Sequence, residues 1–457
     1  MIRVKSIALL LTGVLVFLGC ITNEPQKYQL TVLNSYAETT GAGLYYAGDS
    51  VTVYAGMRSE DYTFGDWKVA GSGVIFGSAN PHTFTMPESN VTLAATWESM
   101  VSYTITSPYA GVNWNTDGQY KASLHVHTNR SDGDNTLSQM VEEYYSLGFD
   151  ILAITDHNVV NVDWVSSAPV NSGTDVPLTS ARYTQISSGS DRGGRKMLMI
   201  PNSNENSRNE HVNSYLVNFN NASGNSWSNA INSISQVQTR GGISRINHPG
   251  RYTGAHPAHG FLGLTASNNA TTIKKYVDVL LDYDSCTGIE IINKKDGESA
   301  SDRILWDNIL KQSIPQGVNV WAFSDDDSHN AIDAGYSYNV FIMPENTLEN
   351  FRSTFINGNF YAVALVAKRE GVNNTDNRTA PVPVINSISV NNDASSITIT
   401  AQHHTRIDWI YDNKVITSGN TITLTDHNGK IGCYVRANVI GADGIAFTQA
   451  FVVEKDS

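Results

Sequence analysis

Six histidines and several carboxylates stand in short clusters through the middle of this 457-residue chain. They are His125-Val126-His127 with Ser131-Asp132-Gly133, then Thr155-Asp156-His157, Glu205, His211, Asn247-His248-Pro249 and Asp325-Asp326-Asp327-Ser328-His329. Imidazole nitrogens and carboxylate oxygens bind divalent cations, and a centre of several ions must collect such ligands from separate segments. Residues two apart on an extended strand face the same side, so His125 and His127 can grip one ion while Val126 packs the other way. The same spacing recurs in Asp327-Ser328-His329 and selects Asp327 from the run of three aspartates. Mixed imidazole and carboxylate ligands suit zinc, manganese and iron alike.

The elements that must carry these groups alternate between helix and strand patterns, as a parallel α/β architecture requires. Leu137, Met140, Val141, Tyr144 and Leu147 fall at helical spacing, and Gly148 is a stop signal. Residues 149–155 form a continuous apolar stretch, and further short apolar strands are expected at 197–200, 214–219, 243–247, 288–293 and 319–323. The histidine and aspartate motifs lie within or just after the C-terminal ends of these strands, the end at which parallel barrels hold their chemistry.

The motifs Leu124-His125-Val126-His127-Thr128, Ser131-Asp132-Gly133 and Ala153-Ile154-Thr155-Asp156-His157-Asn158 resemble the opening of a polymerase and histidinol phosphatase (PHP) domain, and the resemblance extends over about residues 120–366. It implies a distorted (β/α)7 barrel holding two or three divalent metals, zinc, manganese or iron, and hydrolysing phosphoesters. By the same resemblance one metal would sit on His125, His127, Glu205 and Asp327. Glu205 would bridge to a second on His211 and His248, and a third would sit on Asp132, His157 and His329. Asp156 would orient an imidazole or a water without ligating. Where the family usually has Gly two residues before the glutamate this chain has Ser203, which makes Glu210 the fallback ligand. A metal-activated hydroxide would attack phosphorus. Arg251 is the leading cation for a phosphate oxygen, with Arg208 behind it.

The flanks read as separate modules. Arg3 and Lys5 precede an apolar run over residues 7–18 that closes in Phe17-Leu18-Gly19-Cys20, similar to the lipobox of bacterial lipoproteins. About a dozen apolar residues fall short of the roughly 20 that span a bilayer. The expectation is therefore a signal peptide over 1–19, a lipidated Cys20, a tether over 20–27 and a location on the extracytoplasmic side of a bacterial cell envelope. Residues 28–98 alternate as an all-β module, and Ala47-Gly48-Asp49, Phe64 with Trp67, and Phe84-Thr85-Met86-Pro87 resemble an internalin-type bacterial repeat. Residues 99–118 read as a linker, 119–370 as the metal-dependent hydrolase barrel, and 381–457 as a C-terminal β-sandwich with Trp409 and Tyr434 in its core.

Charged residues make up only 16% of the chain, which also has 36 glycines, a balance of a folded exported protein rich in strands and loops rather than a disordered one. A net charge of −13, with no Lys/Arg-rich stripe, excludes a general nucleic-acid-binding surface; the PHP resemblance implies a small phosphorylated substrate. Cys286 and Cys433 are too few for a disulfide framework and read as buried thiols or a single bridge. Two competing functions follow from the same residues: a surface module that binds glycans or peptides without catalysis, and a metal hydrolase acting on a bond other than a phosphoester.

Overall fold

The computed structural model describes residues 25–206, 210–221, 226–253, 262–297 and 299–456. The expected signal peptide and Cys20, together with Arg208, lie outside the described residues. No helix among the described residues is long and apolar enough to cross a membrane. The chain divides into two compact units, Met1–Val101 and Ser102–Ser457.

In the first unit, strands Gly43–Tyr46, Lys27–Leu33, Val91–Ser99, Tyr62–Val69 and Ile75–Gly77 form one sheet in that order, and Ser50–Val53 pairs with His82–Thr85. Alternation turns Leu30, Leu93, Ala95, Val51 and Val53 inward around Trp67. This is the all-β module that the sequence predicts.

The second unit is mixed α/β. Strand β1 (Gly118–Ser123) is followed by α1 (Leu137–Ser146), and then by β2 (Ile151–Leu152) and β3 (Leu198–Met199), the three strands lying parallel. Thr136 caps α1 through a reciprocal pair with Gln139, which satisfies the orphan N–H groups of the first turn. Leu137, Met140, Val141 and Tyr144 bury its apolar face. A second sheet runs β4 (Asn204–Asn206), β5 (Val212–Tyr215), β6 (Ile243–Ile246), β7 (Cys286–Asn293) and β8 (Trp321–Asp325), antiparallel at first and parallel from β6 onward. Single parallel bridges, Val126 to Ser328 and His157 to Glu205, tie the two sheets together beyond the strand ends. β7 and β8 approach so closely that a Cβ at Gly288 would lie 2.1 Å from the Trp321 carbonyl oxygen.

Three details differ from the sequence expectation. The apolar stretch 149–155 keeps regular pairing only at Ile151–Leu152. Beyond it backbone bonds from Ala153 N–H to the Ser123 carbonyl and from Thr155 N–H to the Val126 carbonyl are joined by side-chain ones, Val126 N–H donating to Thr155 Oγ1 and Thr128 N–H to Asp156 Oδ1. The expected linker contains a strand, Tyr103–Thr106, paired with Phe451–Lys455. The C-terminal strands do not stand alone: Ile445–Phe447 pairs with Phe360–Ala364 and continues an eleven-stranded sheet that includes β1, β2 and β3, while Val384–Asn391, Ser396–Gln402 and Thr421–Thr423 form a sheet of three. Trp409 and Tyr434 are fully buried, and Trp409 shares one core cluster with Val126, Ile154 and Tyr144. Cys286 and Cys433 are both free thiols.

Candidate metal centre

The strand ends bring all nine histidine and carboxylate positions singled out as ligands into one cluster. Glu205, on β4, lies at its middle. Its Oε1 is 3.2 Å from His125 Nε2, 3.0 Å from His211 Nδ1 and 3.7 Å from His248 Nε2, and its Oε2 is 2.9 Å from His157 Nδ1 and 3.5 Å from His127 Nε2. Asp327 Oδ1 stands 3.1 Å from His127 Nε2, 3.4 Å from His125 Nε2 and 3.5 Å from His329 Nδ1. Asp132 forms a third focus, 3.2 Å from His329 Nε2, 3.5 Å from His157 Nε2 and 3.6 Å from His127 Nδ1.

These groups fit divalent cations on two grounds. Ligand bonds of about 2.0–2.2 Å around one ion leave neighbouring donor atoms roughly 3 Å apart, the spacing found here. His125 Nε2, His127 Nε2, His248 Nε2 and Glu205 Oε2 are also buried with no hydrogen-bond partner among the described residues. Leaving a buried polar atom unsatisfied costs about 1–3 kcal/mol, and four converging on one place mark a position for a cation. Side chains that satisfy the spacing for one ion include His127, Asp132, His157 and His329 as one set, and His125, His127 and Glu205 as another.

The electrostatics favour cations as well. Burial works against charge on Glu205, but His211, His157 and His125 hold its carboxyl well below the usual range. Asp327 is likewise lowered, its burial outweighed by His125 and Lys294. Burial pulls the His127 imidazole down to about 3, so it remains neutral and able to ligate. His157 is held up to about 10, its burial overcome by Glu205 and Asp132.

Surrounding groups aim the ligands. His125 Nδ1 donates to Glu290 Oε1 at 3.0 Å, which leaves Nε2 facing Glu205 and Asp327. His329 Nδ1 donates to the Asp327 carbonyl oxygen at 2.9 Å, which leaves Nε2 facing Asp132. Asp156 accepts from Thr128 N, Thr128 Oγ1, Ser131 Oγ and Asn161 Nδ2, and so fixes the loop that carries Asp132. Its link to an imidazole runs through Ser131, whose Oγ is 3.4 Å from His127 Nδ1. Gly133 completes that loop because a Cβ there would come within 2.8 Å of the His127 carbonyl. His248 and Asp327 both have left-handed backbone, with φ of 23° and 46°, a strained state that clusters at functional sites.

The three adjacent aspartates divide by role. Asp325 is buried against Arg245 and accepts from the Leu124 N–H. Asp326 accepts from the backbone N–H groups of Gly335, Tyr336 and Ser337, and Asp327 alone of the three faces the imidazoles. Ser203 is buried and donates to the Ile200 carbonyl oxygen, so its side chain is accommodated beside Glu205. Glu210 pairs with Lys275 and accepts from Tyr276 Oη at 3.2 Å, engaged elsewhere. Arg251 is exposed on the short helix Gly250–Thr253.

Sequence reasoning missed Glu290, Asn293 and Lys294, and gave Asn247 no role within its Asn247-His248-Pro249 motif. Glu290 is fully buried, holding His125, the His248 N–H, Asn293 and Arg245. Its signal was present, a carboxylate in the apolar run Gly288-Ile289-Glu290-Ile291-Ile292, because a buried charge demands partners. Asn247 Nδ2 donates to Glu205 Oε1 at 2.5 Å, and Asn293 Nδ2 lies 3.3 Å from Asp327 Oδ2.

Comparison with known proteins bears on this cluster directly. Residues 123–246 match the PHP domain, and residues 28–101 match the divergent InlB B-repeat domain. No curated protein matches the chain. Among solved structures, it is similar to a two-domain protein from Bacteroides vulgatus that contains a predicted PHP-like metal-dependent phosphoesterase, at 15% identity and a TM-score of 0.39, over 74% of this chain and 96% of that one. It is also similar to PsfC from Pseudomonas syringae, at 11% identity and TM-score 0.29, and to an amidohydrolase from Chromobacterium violaceum solved with bound sulfate and no metal, at 13% and 0.28. Each of these two covers 52% of this chain and 96% of its own. The histidine and carboxylate cluster thus begins within residues 123–246, the stretch that matches the PHP domain, and the stretch that matches the divergent InlB B-repeat domain comes before it in the sequence.

Proposed function

We propose that this protein is a metal-dependent phosphoesterase, lipid-anchored through Cys20 outside the cytoplasm, that hydrolyses a small phosphate mono- or diester. The observation that carries the reading is the convergence of six imidazoles and three carboxylates, with donor atoms 2.9–3.8 Å apart, on a PHP domain. The two sheets, bridged at Val126 and at His157, support reading the surrounding strands as one distorted (β/α)7 barrel. The lipobox-like segment before Cys20 supports the anchor.

Two or three divalent cations, zinc, manganese or iron, would supply Lewis acidity toward the phosphoryl oxygens and would acidify a water nucleophile. His125, His127, Glu205, Asp327, His211 and His248 would hold the buried ions, and Asp132, His157 and His329 the outer one. The last three have side chains 50%, 22% and 27% exposed, against 7% or less for the other six, so the substrate enters from their side. Glu290 and the Asp327 carbonyl keep the protons of His125 and His329 on Nδ1. Buried walls of β7 and β8 exclude bulk water behind the ligands.

The test is metal content by elemental analysis of residues 28–457, together with hydrolysis of aryl phosphate mono- and diesters, with His127→Ala as control. Two or three ions per chain and turnover that the variant loses are expected. No bound metal after reconstitution and no turnover would sink the reading in favour of a surface binding module.

A further inference from the structure

An ammonium beside a centre that collects cations repels them, and a carboxylate partner or a bound anion offsets that repulsion. Lys294 stands in such a place, with Asp327 as its carboxylate partner. It follows β7 directly, and its Nζ is 3.2 Å from Asp327 Oδ2, on the carboxylate that also faces His125, His127 and His248. The side chain is one-third exposed on the wall of a cavity of about 250 Å³ that Asp327, His329, Lys295 and Asp333 also line.

The backbone is bent to put it there. Lys294, Lys295 and Asp296 have φ of 47°, 53° and 53°, three successive non-glycine residues in the left-handed region. A turn of this kind persists only where its surroundings over-determine it. Asp296 is buried and receives Arg303 Nη1 and Nη2, Ser299 Oγ and the Lys368 N–H, and Ser299 Oγ in turn accepts from the Asn293 N–H. The neighbouring Lys295 lies on another partner, its Nζ 3.0 Å from Asp333 Oδ1 and over the Tyr336 ring. The clamp therefore holds Lys294 on the cavity wall beside Asp327 and His329.

We propose that Lys294 grips a non-bridging oxygen of the substrate's phosphoryl group, so that the anion is held between the ammonium and the ions of the centre. The proposal rests on the phosphoesterase reading for the identity of the anion. No bond forms to Lys294, which remains protonated throughout. It assigns to Lys294 the role that the sequence alone gave to Arg251.

Binding of inorganic phosphate to the metal-loaded full-length protein, by equilibrium dialysis with metal content measured alongside, tests it. Lys294→Met is expected to weaken phosphate binding tenfold or more at unchanged metal content. Lys294→Arg should stay within about threefold of the parent and Lys295→Met within about twofold. Phosphate binding equal to the parent's in Lys294→Met overturns the proposal, as does a parent that binds no phosphate. A Lys294→Met protein that has lost its metal overturns it too, since Lys294 would then support the ligands rather than the anion. A parent that binds phosphate through Lys294 yet hydrolyses no ester leaves the assignment standing and sinks the phosphoesterase reading. Ester hydrolysis unchanged in Lys294→Met does the reverse.

Discussion

Glu290 carries no ligand role in the sequence motifs, yet it holds the imidazole of His125 and the backbone of His248. A carboxylate accepts from every side, and Glu290 receives the His125 Nδ1 proton, the His248 N–H and Asn293 Nδ2. In Glu290→Gln one oxygen becomes an amide that can only donate, so one of these donors loses its partner. Metal affinity is expected to fall 10- to 100-fold, the usual effect of removing such a support, as measured by competition with a chelator. A tenfold loss or more at an unchanged unfolding midpoint of the metal-free protein separates this effect from misfolding. Lys121 offers a residue-scale test in pH. Burial between Phe149 and Tyr338 holds its ammonium down to about 8, against the pull of Asp326 and Asp150. Between about pH 8 and 10.5 the unfolded chain therefore retains a proton that the folded chain has released, and stability rises with pH across that window. Below pH 8 the penalty is present in full. Lys121→Met should remove this rise from the curve of unfolding free energy against pH. An identical slope in both proteins would show that Lys121 is not the source.

Two turns shape the edge of the cluster at the level of elements, and side chains rather than strand pairing hold them. The loop after β1 is fixed by Asp156 and by the absence of a Cβ at Gly133. Gly133→Ala should displace Asp132 and lower the metal content by about one ion per chain while the rest of the cluster fills; full occupancy would contradict the role given to this loop. The turn after β7 holds three left-handed residues at about 1–3 kcal/mol each. Arg303, on α2 (Asp302–Ser313), offsets that strain by joining Asp296 and Glu370 inside the protein. Removing one side of a buried ion pair leaves uncompensated charge, so Arg303→Met is expected to cost about 3–5 kcal/mol in denaturant unfolding. A loss under about 1 kcal/mol would mean that the turn does not depend on the clamp.

At the scale of the whole molecule, residues 102–457 form one compact unit, and the boundary expected near 370–381 falls inside it. Strand Ile445–Phe447 extends the sheet of Phe360–Ala364, and Trp409 and Phe451 share a core with Val126, which packs directly behind the two histidines of β1's extension. Trp409→Ala is expected to destabilise by about 3–5 kcal/mol. The loss should appear as a single shifted transition that also releases metal. A separate early transition with the metal retained would instead mark the C-terminal strands as an independent domain. Alternation within these strands is legible locally, but their neighbours are not: a strand pattern states that one face is buried and leaves open which sheet it joins.

Ligand types and their order are legible in the chain alone, because imidazole and carboxylate chemistry resides in single residues and the same-side spacing of His125 with His127 is a property of one strand. Legible there too are the β character of the first unit and the helix Leu137–Ser146, where period and cap are local. Contacts in the folded chain alone reveal that Glu290 supports His125 across 165 positions, which of three adjacent aspartates turns to the imidazoles, and that Lys294 comes within 3.2 Å of Asp327. Those outcomes depend on contacts between segments far apart in the chain, and no local periodicity records which buried partner a charge will meet.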